Sequence, residues 1–226
     1  MDITHFYQEK GSGEPLLLLH GNGENSAYFV HQLDELSPYY RVIAPDTRGH
    51  GKTPRGCAPF TIRQFADDLA AFMDVLQLKK AHILGFSDGA NIAMCFAIRY
   101  PHRVNRLILN GGNLTAAGMK RRIQLPIELG YRIANTFASK SPEARQHAEL
   151  LGLMVNDPNL SSADLSKITA KTLVIAGTHD MVKTDHTKLI ADSIANSTLL
   201  LLKGDHFIAN KQYTAFNHAV LRFLTE

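Results

Sequence analysis

Apolar residues fall along this chain in two patterns: short unbroken runs, and longer stretches in which they recur every three or four positions. The runs are Leu16–His20, closed by Gly21, and Arg41–Ala44, closed by Pro45-Asp46, followed by Ala81–Gly85, Arg106–Leu109, Thr172–Ala176 and Thr198–Leu202. Unbroken apolar runs of this length predict strands buried on both faces of a parallel sheet. Between them, residues 62–77 place Ile62, Phe65, Ala66, Leu69, Phe72, Met73 and Leu76 on one stripe, which predicts a helix with Thr61 as its N-cap. Residues 88–100 are apolar nearly all round, as a central buried helix should be, and a further helix is expected over 184–195. Strands alternating with helices over short connections predict a doubly wound, mostly parallel α/β sheet.

One segment breaks the alternation. Residues 113–167 carry no strong strand signal, only helical patterns around 119–137 and 142–154. The expected organisation is a single domain, with core 1–112 and 168–226 and a small helical cap inserted at 113–167. Long insertions in compact domains tend to be lids or binding elements; an elaborated crossover is the plainer alternative.

Composition narrows the class. The 226 residues are 45% hydrophobic and 20% charged, with a net charge of +3. No five like charges are consecutive, so a nucleic-acid partner is not expected. Cys57 and Cys95 are too few for a disulfide framework or a cysteine zinc site. The start of the chain, Met1-Asp2-Ile3-Thr4-His5, has neither a basic region nor an apolar one after it, and no run reaches the roughly 20 residues that cross a bilayer. A cytoplasmic protein without a membrane partner is the expectation.

The chemistry concentrates where runs end. Gly85-Phe86-Ser87-Asp88-Gly89 joins a strand to the buried helix, a context in which a sharp turn lifts a serine hydroxyl above the sheet edge and the helix start offers the Asp88 amide. A helix-capping serine is the plainer reading. A nucleophilic serine needs a base and an orienting acid. Asp180, just past the run 172–176, and His206, just past 198–202, follow it in the order Asp then His. All three then emerge at the carboxyl edge, where open α/β sheets place their sites. His179, Asp185, His186 and Asp205 compete by proximity; Asp205 is expected to point away and Asp185 to open a helix. The Gly-rich turn His20-Gly21-Asn22-Gly23 suits a second oxyanion donor, the Asn22 amide, with His20 structural.

Taken in order, His20–Gly23, Pro45–Thr53, Gly85–Gly89, Gly177–Asp180 and Gly204–His206 resemble the α/β-hydrolase fold serine hydrolase family, over nearly the whole chain. The local Ser87-Asp88-Gly89 form is similar to the biphenyl-hydrolase-like and valacyclovir-hydrolase-type branch. The resemblance implies that Ser87, Asp180 and His206 form a triad and that 113–167 caps the substrate. It also implies that Asp46 and Arg48 belong to a structural turn. The N-terminus is short for the family, by about one hairpin strand, and the cap is small.

Gly51-Lys52-Thr53 looks like the end of a phosphate-binding loop, but position 46 is Asp where that loop needs Gly. No dinucleotide fingerprint is complete and no histidine pair with an acid has metal-ligand spacing, so neither cofactor nor metal is expected. The expected activity is hydrolysis of a small-molecule carboxylic ester, or a thioester or amide, through an acyl-enzyme. A carbon–carbon bond hydrolase with the same triad and a ligand-binding receptor with little turnover are the alternatives. Asp88 is expected to cap its own helix; facing the substrate, it would favour a cationic group. Lys120-Arg121-Arg122 is expected to be a solvated helix face.

Overall fold

Each apolar run pairs with its neighbours because a strand covered on both faces must have its backbone groups satisfied within the sheet. The computed structural model describes residues 2–226. Seven strands lie in the order β1-β3-β2-β4-β5-β6-β7. They are β1 (Tyr7–Lys10), β2 (Pro15–Leu19), β3 (Arg41–Pro45), β4 (Ala81–Phe86), β5 (Val104–Asn110), β6 (Lys171–Gly177) and β7 (Ser197–Leu202). Only β1 runs antiparallel, pairing Tyr7 with Pro45 and Lys10 with Val42. The polar sequence Tyr-Gln-Glu-Lys gives no buried period, and β1 is an edge strand the apolar pattern does not announce.

Helices cover both faces. On one lie α1 (Val30–Leu36), α8 (Ile208–Lys211) and α9 (Tyr213–Thr225), packed on Leu16, Leu18, Val42, Leu84 and Ile108. On the other lie α2 (Ile62–Val75), α3 (Asp88–Arg99) and α7 (Thr184–Asp192), packed on Leu17, Leu19, Ile43, Ile83 and Leu107. Leu16 to Leu19 thus alternate between two cores, and all four are 1% exposed or less. Each such burial is worth roughly 1.5–3 kcal/mol. The Thr61 hydroxyl accepts the Gln64 N–H and starts α2.

The insertion contains α4 (Arg121–Phe137), α5 (Pro142–Asn156) and the single turn α6 (Ser162–Leu165). It leaves the sheet after β5, the neighbour of β4, and returns at β6, one strand further out. α5 is tied to the core at separate points. Arg55 grips Glu149 with two nitrogens at 2.7 and 3.0 Å. Gln146 Nε2 donates to Gly49 O at 2.8 Å, and Asp157 accepts the Ile62 N–H at 3.2 Å. α4 leans on α5, where Gln124 donates to Met154 O. Its start is stitched to the loop after β6, through a Met119–Val182 bridge and the Lys120 N–H on Met181 O.

Candidate active site

The site begins at the step from β4 to α3. Ser87 sits at φ 54°, ψ −120°, a conformation that side chains rarely adopt and that costs of order 1–3 kcal/mol. Its surroundings enforce it. The Ser87 N–H donates to Asn110 O on β5 at 2.8 Å, while Ser87 O accepts from Ala90 and Asn91 in the first turn of α3. The flanking glycines are steric requirements: a Cβ at Gly85 would strike Gly89 O, and one at Gly89 would strike Leu19 O. The turn therefore closes only on small residues and leaves Ser87 half-exposed above the edge.

Past β6 and β7 the other two candidates meet. Asp180 and His206 are 3% and 4% exposed, and His206 Nδ1 donates to Asp180 Oδ1 at 2.7 Å. The same oxygen accepts the Val182 N–H at 2.9 Å, which fixes the carboxylate. With Nδ1 carrying the proton, Nε2 is the basic nitrogen. Ser87 and His206 share no hydrogen bond among the described residues. The wide clefts of about 870 and 730 Å³ lie elsewhere, one between β7 and α9 and one between the 49–55 loop and the α4–α5 turn.

The strand-to-helix elbow, the order of its partners and the sheet topology agree with a direct match: residues 14–146 fit the family model of the alpha/beta hydrolase fold. The chain belongs to this family. The α/β-hydrolase is 32% identical to 3-oxoadipate enol-lactonase 2 of Acinetobacter baylyi, over 97% of this chain and 92% of that protein. It is 30% identical to 2-hydroxymuconate semialdehyde hydrolase of a Pseudomonas species, over 76% of this chain and 58% of that protein. Among solved structures, a meta-cleavage product hydrolase from Pseudomonas fluorescens superposes with a TM-score of 0.80 at 26% identity, covering 99% of this chain and 94% of that one.

Around the elbow, the hydrolase carries a polar network that side-chain pattern did not reveal. Asn22 Nδ2 donates to Asp88 Oδ2 and to Leu150 O of α5, both at 2.9 Å. Asp88 Oδ1 accepts from Asn91, whose amide also reaches Asn113. The expectation that Asp88 caps its own helix is therefore corrected. Its carboxylate caps no backbone N–H; it is buried between two asparagine amides, and burial raises its pKa. Two short polar side chains near a helix start compete for such a carboxylate, and here they win. The backbone N–H groups of Asn22 and Asp88 donate to no partner among the described residues.

His20 lies beneath this loop. Its Nε2 accepts the Thr47 N–H at 3.0 Å and its Nδ1 faces Gly21 O at 2.8 Å, which specifies the neutral Nδ1–H tautomer. Burial first, then the neighbouring His50, lower its pKa to about 4. Asp46 receives the Ser26 and Lys52 N–H groups, and Arg48 is held by Asp68 and Asp2, so both belong to turn structure. Asp205 accepts from Lys211 at 2.5 Å and from the Phe207 N–H, and His186 accepts the Leu114 N–H.

Gly111, Glu24 and Tyr28 escaped the sequence reading. Gly111, at φ 64°, leaves room for the imidazole: a Cβ there would lie 2.7 Å from His206 Cε1. The signal was the Gly111-Gly112 pair at the end of β5. Glu24 accepts the Gly21 N–H through its carboxylate and returns its own N–H to Gly21 O, bracing the turn that holds Asn22. Burial pushes its pKa up to about 7, against the pull of the Gly21 N–H and His206. Lys120 departs from the solvated face expected for it, since its ammonium donates to Asp180 O at 2.5 Å; Arg121 and Arg122 are exposed. Tyr28 stacks flat on Phe86, with ring centres 4.5 Å apart, and Phe86 in turn meets His206 at 4.9 Å. One side of the imidazole is thus aromatic.

Proposed function

We propose that the hydrolase cleaves a small-molecule carboxylic ester, lactones included, through an acyl-enzyme on Ser87. The observation that carries this reading is the buried Asp180–His206 pair, with its basic nitrogen unspent, beside a serine held in a strained elbow. Ser87 Oγ attacks the carbonyl carbon and His206 Nε2 takes its proton. Asp180 stabilises the imidazolium through Nδ1–H without becoming protonated. The negative oxygen is received by the amides of Asn22 and Asp88, each such donor being worth about 3 kcal/mol in the transition state. Collapse breaks the ester bond, and His206 returns the proton to the leaving alcohol. Water then attacks the acyl carbon, with His206 again as base, and Ser87 is regenerated.

Residues 113–167 act as the cap, held over the elbow by the Asn22–Leu150 contact and the Arg55–Glu149 grip. The ester reading draws on similarity that runs the length of both chains to an enol-lactonase. Similarity to 2-hydroxymuconate semialdehyde hydrolase and to a meta-cleavage product hydrolase supports the second reading, cleavage of a carbon–carbon bond next to a carbonyl by the same three residues.

The test is fluorophosphonate labelling read by peptide mapping, followed by a panel of esters, lactones and vinylogous diketones. A single adduct on Ser87, absent from Ser87→Ala, with turnover of esters or lactones is the expected result. Turnover of diketones alone moves the assignment to carbon–carbon cleavage. Absence of an adduct on folded protein favours a ligand-binding receptor.

A further inference from the structure

One face of α4 is apolar and uncovered. Leu125, Leu129, Ile133 and Phe137 recur every fourth residue and are 52%, 59%, 55% and 45% exposed. At that spacing they form a single row roughly 18 Å long. The helix packs on α5 by another side, with Gln124 buried and donating to Met154 O. A hollow of about 360 Å³ beside Ile133 and Phe137, walled by Ala144 and His147 of α5, widens the apolar surface. Monomeric proteins rarely leave such a row open without a partner.

Charge identifies the partner. Arg121, Arg122, Arg132 and Lys140 are exposed at the ends and flank of the row, and Glu128 is the one acidic residue of α4. None of the four cations pairs with a carboxylate among the described residues, whereas Arg145 of α5 is taken by Glu149. The Lys140 ammonium stands 4.3 Å over the Phe137 ring, at the end of the row. A second copy set face to face would bring four unpaired cations against four more, with only Glu128 of α4 and Glu143 of α5 nearby to offset them. A helix with an apolar face and unpaired Arg and Lys beside it suits the plane of a negatively charged lipid surface.

We propose that α4 docks this protein onto an anionic lipid surface. Leu125, Leu129, Ile133 and Phe137 enter the headgroup boundary, and Arg121, Arg122, Arg132 and Lys140 meet the lipid phosphates. This departs from the expectation of no membrane partner, which was drawn from the lack of a spanning segment. No described helix is long and apolar enough to cross a membrane, but lying on one requires only a face. The proposal is independent of the chemistry at Ser87. The start of α4 is nevertheless stitched to the Asp180 loop, so the docking helix begins beside the candidate site.

The test is flotation of the full chain with phosphatidylcholine vesicles and with vesicles containing about one third phosphatidylglycerol, at low and high salt. The expected result is association with the anionic vesicles, at least about tenfold stronger than with the neutral ones and weakened by salt. Leu129→Glu with Ile133→Glu should abolish it while circular dichroism and melting stay unchanged, since both side chains are exposed. Arg122→Glu with Arg132→Glu should remove the preference for anionic lipid; if the first variant fails to fold, this pair decides alone. The proposal is overturned by lack of binding to anionic vesicles at low salt, or by binding that these substitutions leave intact. It is equally overturned if wild type is a dimer in solution that Leu129→Glu makes monomeric, because the face is then covered by a second copy.

Discussion

The carboxyl edge of the sheet and the inserted helices hold their residues by opposite means. At the edge, position is set by backbone: Ser87 is locked between Asn110 O and the first turn of α3, and Asp180 is held by the Val182 N–H. In the insertion, beyond the backbone stitch at the start of α4, position is set by a handful of side chains, chiefly Arg55, Gln146 and Asn22, while a row of large apolar residues stays outside. The edge is built for fixed geometry and the insertion for contact that can be remade. Placement precise enough for chemistry comes from the first, whereas choice of what enters belongs, on the proposed reading, to the second.

The most severe way to break the edge is Ser87→Ala. Esterase activity should fall by at least about 10⁴-fold, with melting temperature unchanged or higher, read by kinetics and calorimetry on one preparation. Full activity in that variant would sink the acyl-enzyme reading. Gly111→Ala comes next, because the new methyl must displace the His206 ring. A loss of roughly 10²-fold in kcat is expected from such a displacement, with a destabilisation of about 1–2 kcal/mol for the left-handed backbone. An unchanged kcat would show that the imidazole has slack that the packing does not suggest.

Arg55→Ala probes the other region. It removes a two-point grip whose partners are 23% and 18% exposed, and should cost about 1 kcal/mol in urea unfolding. Its kinetic effect should fall on KM more than on kcat; a pure kcat effect would mean that α5 helps to build the chemistry itself.

The smallest effects are in pH dependence, where half-buried Glu24 and fully buried His20 pull in opposite directions. Glu24 ionises near 7 when folded against about 4.5 when free, so the folded state holds the extra proton. Stability from this group is complete below about 4.5 and is lost as pH rises through 7. Wild type should therefore lose melting temperature relative to Glu24→Gln across that window, and parallel curves would refute it. His20 does the reverse: folded, it protonates near 4 rather than 6.5, so its contribution is present above 6.5 and is lost as pH falls towards 4. Protonation would set a second N–H against the Thr47 N–H that Nε2 now accepts.

The same division explains what could be read from the chain. Strands β2 to β6 were legible because burial on both faces writes an unbroken apolar run. β7 wrote one too, although as the far edge strand it is only partly buried and not covered on both faces as expected. Ser87, Asp180 and His206 were nameable because each stands just past such a run. β1 was not, since an edge strand with exposed polar side chains has no such run. The family fold was legible as an ordered set of turns. Glu24, Gly111 and the side-chain role of Asn22 were not, because each depends on which loop comes to lie against which: Asn22 reaches a carbonyl 128 residues away. The helical periods of α4 and α5 were visible, but periodicity does not tell which of two apolar sides a neighbour will cover.

The left-handed serine has a consequence for the history of the molecule. Glycine accepts φ 54° freely, so Ser87→Gly should relieve the turn and yield a protein that melts higher than wild type while being inert. Random variants sorted only for heat tolerance would drift towards that substitution. The serine persists in such a position only where something other than robustness is being selected.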